Sequence, residues 1–289
     1  MEKLKFLIFC LKQVPGLSNQ SILNVCQSVL ETGRVTVSPE EIIHLANIQK
    51  KYEKKILTHL AYVENQRESF YVQYTHQPFI TFLDQAYPTC LSQIYNPPVG
   101  LFYAGDISLL NKPAISMIGP REPTQYGYEV VEKFSPKLVT HPLVIVSGLA
   151  KGIDTKCHQE ALKNQGKTVA VIGSGLNICY PKSNQRLQHY LMKHQLVVSE
   201  YPLNTPPYPY HFPMRNRIIA GLSKGTCVIQ AREKSGTLIT ASLALEEGRE
   251  VFAVPGDIGL EESKGCLKLI QLGAKCVYQP EDILEEFLF

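Results

Sequence analysis

The sequence lacks the cysteine spacings that build metal sites and disulfide frameworks. It has 8 cysteines among 289 residues, and no two of them form a C-x-x-C pair. Several lie inside apolar runs, as Cys227 does in the run from Thr226 to Ile229. This placement indicates reduced thiols packed in the core of a cytosolic protein, and it predicts no metal site.

The N-terminus lacks a long hydrophobic run. Its apolar stretch, Phe6–Leu11, is too short for a secretory signal or a membrane span. We therefore expect a cytoplasmic protein without membrane insertion. The composition, 44% hydrophobic and 19% charged, suits one large domain or two ordinary ones.

A complete set of catalytic residues is also missing. The sequence has no G-x-x-x-x-G-K-[ST] phosphate loop, no H-E-x-x-H motif, and no nucleophile elbow around Ser147 or Ser235. Gly173-x-Gly175 lacks the third glycine of the dinucleotide fingerprint, because Ile178 stands in that position. These absences favour binding over catalysis, and they predict no cofactor.

The net charge of +3 conceals an uneven distribution of charge along the chain. Residues 1–110 hold 9 basic and 9 acidic side chains. Residues 111–225 hold 14 basic and 6 acidic ones, a net charge of +8, and residues 226–289 hold 6 basic and 11 acidic ones, a net charge of −5. The basic middle segment favours a nucleic-acid partner, whereas the acidic end would repel DNA and suits a protein partner.

The first part of the chain has a helical pattern. Leu4, Leu7 and Leu11 recur at helical spacing, and Ser38 before a proline predicts the start of another helix. We therefore predict a small all-helical domain over residues 1–75.

The remaining chain, residues 76–289, alternates short apolar strands with helical stretches. The predicted strands are Ala114–Ile118, Leu143–Val146, Thr168–Ile172, Leu196–Val198, Thr226–Ile229, Glu250–Val254 and Lys275–Tyr278. Val/Ile-rich strands alternating with helices indicate a parallel sheet covered on both faces. The predicted fold class is α/β, with a doubly wound, mainly parallel sheet.

Glycines, hydroxyls and cations follow these strands, and the carboxyl ends of parallel strands meet at one edge of a sheet. Glycine lets backbone amides approach a phosphate, cations pair with it, and aromatic rings stack on unpaired bases. We therefore predict that this edge binds single-stranded nucleic acid. The candidate residues are Gly119, Arg121, Ser147, Gly148, Lys151, Gly173, Ser174, Gly175, Tyr180, Lys182, Phe212, Arg215, Asn216, Arg217, Ser235 and Gly236.

Structural roles compete with these assignments. A glycine at a strand end also serves a tight turn. Arg215 or Arg217 can instead form a buried ion pair with Glu200 or Asp154, and Asp154 also suits a helix cap. His158, one turn later, suits a structural histidine as well as a functional one.

Taken together, the clusters resemble the DNA-processing protein A family (DprA, also called Smf). The resemblance covers residues 79–278 in order, and one departure is Gln230, where the family commonly has glutamate. The segments that carry it are Gly119–Gly127, Ser147–His158, Ala170–Asn184, Phe212–Leu222, Ser235–Ala241 and Gly248–Gly256.

The resemblance implies a non-enzymatic protein of natural transformation that protects incoming single-stranded DNA and loads the RecA recombinase onto it. It implies an extended Rossmann-like core preceded by a SAM-like or helix-hairpin domain, with Arg121 and Lys182 on the DNA backbone. It suggests a homodimer through Leu267 and Ile270, although both also suit covering the last strand. Some members add a C-terminal winged helix, which we do not expect in a sequence that ends at Phe289.

Two other functions stay open. A nucleotide-processing enzyme similar to the phosphoribohydrolases of cytokinin activation also carries glycine-rich turns, but their P-G-G-x-G-T signature is absent and Ser235–Thr237 is the nearest equivalent. An interaction scaffold without DNA affinity is the third possibility.

Overall fold

The computed structural model describes residues 1–287, in which nine strands form one sheet with helices on both faces. The strands are β1 Phe79–Thr81, β2 Gly100–Gly105, β3 Ala114–Ile118, β4 Val144–Ser147, β5 Lys167–Ile172, β6 Leu196–Ser199, β7 Gly225–Val228, β8 Glu250–Ala253 and β9 Lys275–Cys276. The helices are α1 Glu2–Lys12, α2 Asn19–Thr32, α3 Pro39–Leu45, α4 Lys50–Asn65, α5 Arg67–His76, α6 Thr89–Ser92, α7 Gln125–Thr140, α8 Ile153–Lys163, α9 Gln185–His194, α10 His211–Gly221, α11 Gly236–Glu246, α12 Glu261–Gln271 and α13 Glu281–Leu284.

The sheet has the strand order β1-β2-β6-β5-β4-β3-β7-β8-β9. The strands from β6 to β9 pair in parallel, and β2 pairs antiparallel with both β1 and β6. The predicted doubly wound, mainly parallel sheet is therefore confirmed.

All seven predicted strands are present, with ends shifted by one or two residues. The pattern missed β1 and β2, which lie in a segment whose prolines and glycines indicate loops. β2 is paired by β6, almost a hundred residues further along the chain. No local pattern reports such a tertiary pairing.

Side chains of the sheet alternate between two cores. Ile115 and Met117 of β3 face one side, where α7 and α8 cover them, and Ala114 and Ile118 face the other side, which α10, α11 and α12 cover. The sheet is thus buried on both faces, as its continuous apolar strands predict.

The five helices between Glu2 and His76 share a core with the edge of the sheet. Phe9 of α1 is fully buried, and its ring centroid lies 5.5 Å from that of Phe79 and 5.8 Å from that of Phe102. The predicted helix start at Ser38 is confirmed, because its hydroxyl accepts a hydrogen bond from the Glu41 amide. Within residues 1–287 no helix is both long and apolar enough to cross a membrane.

The eight thiols are unpaired in the structure, and five of them are buried. Across the described part of the chain, no group of three or more His, Cys, Asp or Glu side chains is placed to hold a metal ion.

Candidate nucleic-acid interface

A groove opens at the carboxyl edge of the parallel strands, where the strand order reverses between β3 and β7. Open α/β sheets bind their ligands at such a reversal. The groove consists of two adjoining hollows, which share Arg121, Ala150, Phe212 and Arg215 in their walls. The first hollow, beside Tyr180, measures about 240 Å³, and the second, beside α11, about 350 Å³. We call the two together the strand-end groove.

Three cations stand around the first hollow. Arg121 and Lys151 line it, and Lys182 follows its wall residue Pro181. All three side chains are exposed, and none has an ion-pair or hydrogen-bond partner in residues 1–287. Their charges are therefore available to an anionic ligand.

Two aromatic rings line the same hollow. Tyr180 is 44% exposed, and its ring centroid lies 5.6 Å from that of the half-buried Phe212. The guanidinium of Arg121 lies 5.6 Å from the centroid of the Phe212 ring, within the range of a cation–π contact. Ring faces beside unpaired cations suit a ligand that has both bases and phosphates.

Arg215 lies at the bottom of the groove and lines both hollows. Its side chain is 5% exposed, and Nη1 donates a hydrogen bond of 2.5 Å to the carbonyl oxygen of Val171. Burial lowers the pKa of its guanidinium, and the nearby Asp154 carboxylate opposes that shift. The Asp154 carboxylate compensates part of this charge, although no ion pair joins Asp154 and Arg215 within the described residues, and Arg215 remains in the floor of the groove.

Gly148 makes room for Arg215, since a Cβ at residue 148 would lie 1.9 Å from Nη1 of Arg215. We expect Gly148→Ala to displace the guanidinium and lower the free energy of unfolding by about 1–3 kcal/mol, as overpacking of a close-packed interior does. Gly236→Ala is the matched control, because a Cβ there meets nothing within 4 Å. Urea denaturation that leaves both variants as stable as the parent would contradict this role of Gly148.

The turn after β4 differs from the predicted phosphate cradle, because its anion is internal. The Ser147 hydroxyl is fully buried and donates a hydrogen bond of 2.7 Å to the Met117 carbonyl oxygen. The Ala150 amide points at the Asp154 carboxylate, with the nitrogen 3.4 Å from Oδ2. Asp154 thus lies where the cradle was expected to hold a phosphate, and the assignment of Ser147 to a ligand contact is corrected.

His158 has a structural role beneath this turn. It is fully buried, and its Nδ1 lies 2.6 Å from Oγ1 of Thr168, a hydroxyl that itself donates to the Ile145 carbonyl oxygen. Nδ1 is therefore the donor. Burial, assisted by Arg215, lowers the pKa of His158 to about 3, so the ring is neutral.

The turn after β5 is divided between the groove and the core. Gly173 borders the first hollow, and a Cβ there would lie 3.3 Å from the Phe212 ring. Ser174 also lines this hollow, although it is only 3% exposed. Gly175 is instead covered by the loop after β6, where its amide donates a hydrogen bond of 2.9 Å to the Thr205 carbonyl oxygen. The predicted ligand contact of Gly175 is corrected to a packing role.

Arg217 lies away from the groove in a buried charge cluster. Its Nη2 is 2.7 Å from both carboxylate oxygens of Glu200. Glu200 also accepts a hydrogen bond of 2.7 Å from Asn19 and lies 3.8 Å from the Lys12 ammonium. Arg217 therefore forms a buried ion pair with Glu200, which is the structural alternative predicted from the sequence. Its assignment to a DNA contact is corrected.

The second hollow leads to the N-terminus of α11. Gly236, the first residue of that helix, is exposed, and Ser235 and Asn216 are half-buried in the wall. Among the described residues no side chain caps the helix, and the Leu238 amide donates to the Ser235 carbonyl oxygen at 3.2 Å, so the amides of Gly236 and Thr237 are the ones free to meet an anion. Of the three glycine turns predicted to cradle phosphate, this one has the open backbone.

Gly119 lies between β3 and α8. A Cβ at this position would come within 2.5 Å of the Ile153 side chain, so the glycine permits the helix to approach the strand. Nearby, Gln230 bonds to Thr124: its amide nitrogen donates to Oγ1 at 2.9 Å, and its oxygen accepts from the backbone amide at 3.1 Å. Gln230 thus fixes the start of α7 beside the groove.

Sequence reasoning missed the part of the second hollow that α11 forms. Ile239 and Thr240 line it beside Thr237, which the predicted turn Ser235–Thr237 already includes, and Ile239 is 47% exposed. The i, i+3 spacing of the two threonines is the available signal, because it places them on one face of a helix.

The predicted dimer residues lie outside the groove, on α12. Leu267 and Ile270 are both half-buried, and Ile270 packs against the core beneath the helix. Ile270 thus covers the core that includes Val251 and Ala253 of β8.

A family model described as DNA recombination-mediator protein A matches residues 78–288 of the sequence. DNA processing protein DprA of Streptococcus pneumoniae is 52% identical over 212 residues, which are 73% of this chain and 75% of the relative. Protein Smf of Escherichia coli is 44% identical over 204 residues, 70% of this chain and 54% of the relative.

Two solved structures have folds similar to that of this chain. The X-ray structure of DprA from Streptococcus pneumoniae has a TM-score of 0.90 and 42% identity, covering 99% of this chain and 98% of that one. A structure describing the single-stranded DNA binding mode of DNA processing protein A from Helicobacter pylori has a TM-score of 0.65 and 28% identity, covering 73% and 96%.

Proposed function

The chain belongs to the DNA recombination-mediator protein A family, and from this membership we propose that it binds single-stranded DNA in the strand-end groove and catalyses no reaction. One observation carries the proposal: unpaired cations and exposed ring faces surround one groove at the reversal point of the sheet. The relative from Helicobacter pylori, described by its single-stranded DNA binding, supports it. Release of free base from AMP by the purified protein would contradict the absence of catalysis.

In this proposal, phosphates lie beside Arg121, Lys151 and Lys182 in the first hollow, and the amides that begin α11 take a further phosphate in the second. Arg215 supplies a fixed positive charge between them. Bases stack on Tyr180 and Phe212. A duplex hides the faces of its bases, so the ring contacts favour a single strand.

Tyr180→Ala tests the stacking contact. Base–aromatic stacking contributes about 1–3 kcal/mol per base, so we expect the alanine variant to bind oligo-dT roughly 5- to 150-fold more weakly. Tyr180→Phe is the matched control, because it keeps the ring and loses only the hydroxyl. Fluorescence anisotropy should find the phenylalanine variant close to the parent, and equal losses in both variants would refute stacking.

We further propose that the bound strand is incoming DNA in natural transformation, that the protein protects it in the cytoplasm, and that it loads RecA onto it. The proposed contacts with RecA are Glu246 and Glu247 at the end of α11 and Glu261 and Glu262 at the start of α12. Charge reversal at these four positions should abolish loading without weakening DNA binding. Loading that persists at the parental rate in a strand-exchange assay would reject this surface.

We propose a homodimer through α12, where Leu267 and Ile270 are half-buried and the neighbouring Leu272 is 72% exposed. Sedimentation of Leu267→Arg should show a monomer where the parent chain shows a dimer. A parent chain that sediments as a monomer at micromolar concentration would exclude the dimer.

A further inference from the structure

Helix α9 begins directly at the proposed DNA site. The short turn Lys182–Asn184 leads into it, so the helix starts at one of the three groove cations. Between Gln185 and His194 the helix has no acidic residue, but it carries one arginine, one lysine and two histidines.

The two strong cations of α9 share its outer face. Arg186 and Lys193 are seven positions apart, nearly two full helical turns, and both are exposed. Leu191 is buried on the opposite face. Tyr190 is 50% exposed beside the cations. We call Arg186, His189, Tyr190 and Lys193 the α9 ridge.

The cations of the ridge are unpartnered. Neither Arg186 nor Lys193 has an ion pair or a side-chain hydrogen bond to any described residue. Lys156 of α8, by contrast, lies 3.0 Å from Glu160, and Arg67 of α5 lies 3.1 Å from Glu64. A solvated face usually mixes both signs of charge, and this one does not.

The helix dipole explains only half of this arrangement. A cation in the last turn, such as Lys193, meets the negative end of the dipole and is stabilised there. Arg186 lies in the first turn, at the positive end, where a cation is unfavourable. Its position is therefore better explained by an external anion.

We propose that the α9 ridge is a second contact surface for the same single strand, which continues onto it from the strand-end groove past Lys182. The inference rests on the proposed DNA binding of the groove. A helix of 10 residues is about 15 Å long, enough for at most about four phosphates at a spacing of roughly 3.4 Å. The exposed Tyr190 ring, whose centroid lies 4.6 Å from that of His194, adds an aromatic surface along this path.

The ridge makes affinity depend on the length of the strand. In Arg186→Ala/Lys193→Ala, we expect binding of an oligo-dT of about 20 nucleotides to weaken about tenfold, with a salt slope smaller by about 1.4, since each single-strand phosphate contact contributes about 0.7. An oligo-dT of about 6 nucleotides is long enough only for the groove, so it should bind this variant with the same affinity as the parent chain. Anisotropy titrations at several salt concentrations measure both.

Lys54→Ala/Lys55→Ala is the matched control, because it removes the same charge from exposed positions on α4. Three results would overturn the ridge but not the groove. The ridge variant could bind the long oligomer like the parent, it could lose affinity equally for both oligomers, or the control variant could lose as much affinity as the ridge variant. A parent chain that binds neither oligomer would overturn the proposed function as well, so the two failures are distinguishable.

Discussion

Arg121→Ala/Lys182→Ala is expected to bind oligo-dT at least about 100-fold more weakly than the parent chain. A hydrogen bond to a charged group contributes about 1.5–3 kcal/mol, so two lost phosphate contacts cost about 3–6 kcal/mol. The salt slope should also fall by about 1.4, because two fewer counterions are released. Anisotropy titrations between low and physiological salt measure both quantities.

The fold should survive this double substitution, because both side chains are exposed and neither forms an ion pair or hydrogen bond with another described residue. The thermal midpoint is therefore expected to stay within a few degrees of the parent value. Lys54→Ala/Lys55→Ala, with the same change in net charge, should bind like the parent. A folded Arg121→Ala/Lys182→Ala variant that binds with parental affinity would show that the groove is not the DNA site.

Glu200→Ala is expected to lower the free energy of unfolding by about 3–5 kcal/mol, the usual effect of breaking a buried ion pair by removing one partner. Glu200 is 4% exposed, and its removal leaves Arg217 and Lys12 buried without their counter-charge. It also removes polar contacts of α1 and α2 with the end of β6, because Lys12 and Asn19 both contact Glu200. Urea denaturation at pH 7 measures the loss.

The same cluster gives stability a defined pH dependence. Burial raises the pKa of Glu200, but Lys12 and Arg217 outweigh it and hold the pKa below its usual value. A carboxyl with a depressed pKa stabilises the fold above its unfolded pKa, about 4.3, and loses that effect as pH falls through the folded pKa. We therefore expect the parent to lose stability below about pH 4 more steeply than Glu200→Gln does.

Glu262→Ala is the control for this experiment. Glu262 pairs with Arg232 at 2.6 Å, but the arginine side chain is 63% exposed, so solvent screens the pair. We therefore expect Glu262→Ala to change the free energy of unfolding only slightly. Equal losses from Glu200→Ala and Glu262→Ala would contradict the importance of the buried cluster.

Most of the sheet is predictable from the sequence because its strands are buried on both faces. A run of five residues such as Ala114–Ile118 suits a buried strand better than a helix, because helices are usually longer. β1 has only three residues, and only the first half of β2 is buried, so neither shows such a run. β1 and β2 form strands because they pair with each other and because β2 pairs with β6. These pairings are tertiary contacts, which a local sequence pattern does not predict.

The sequence predicts which edge of the sheet carries the site, but it predicts less well which side chains face the groove. Arg215 and Arg217 are two positions apart on α10 and point in different directions, one into the groove floor and one toward Glu200. Residue type does not distinguish them. Likewise, Gly148 accommodates a side chain from 67 positions later in the chain, a contact that turn chemistry does not reveal.

Photo-crosslinking with oligo-dT that carries 5-iodouracil tests the DNA site most directly, because the crosslink marks the residues that touch the bases. Digestion and mass spectrometry should place the crosslinks on the peptides that contain Tyr180 and Phe212, the two rings of the first hollow. Crosslinks confined to the helices between Glu2 and His76 or to α12, with none at the groove, would contradict the account.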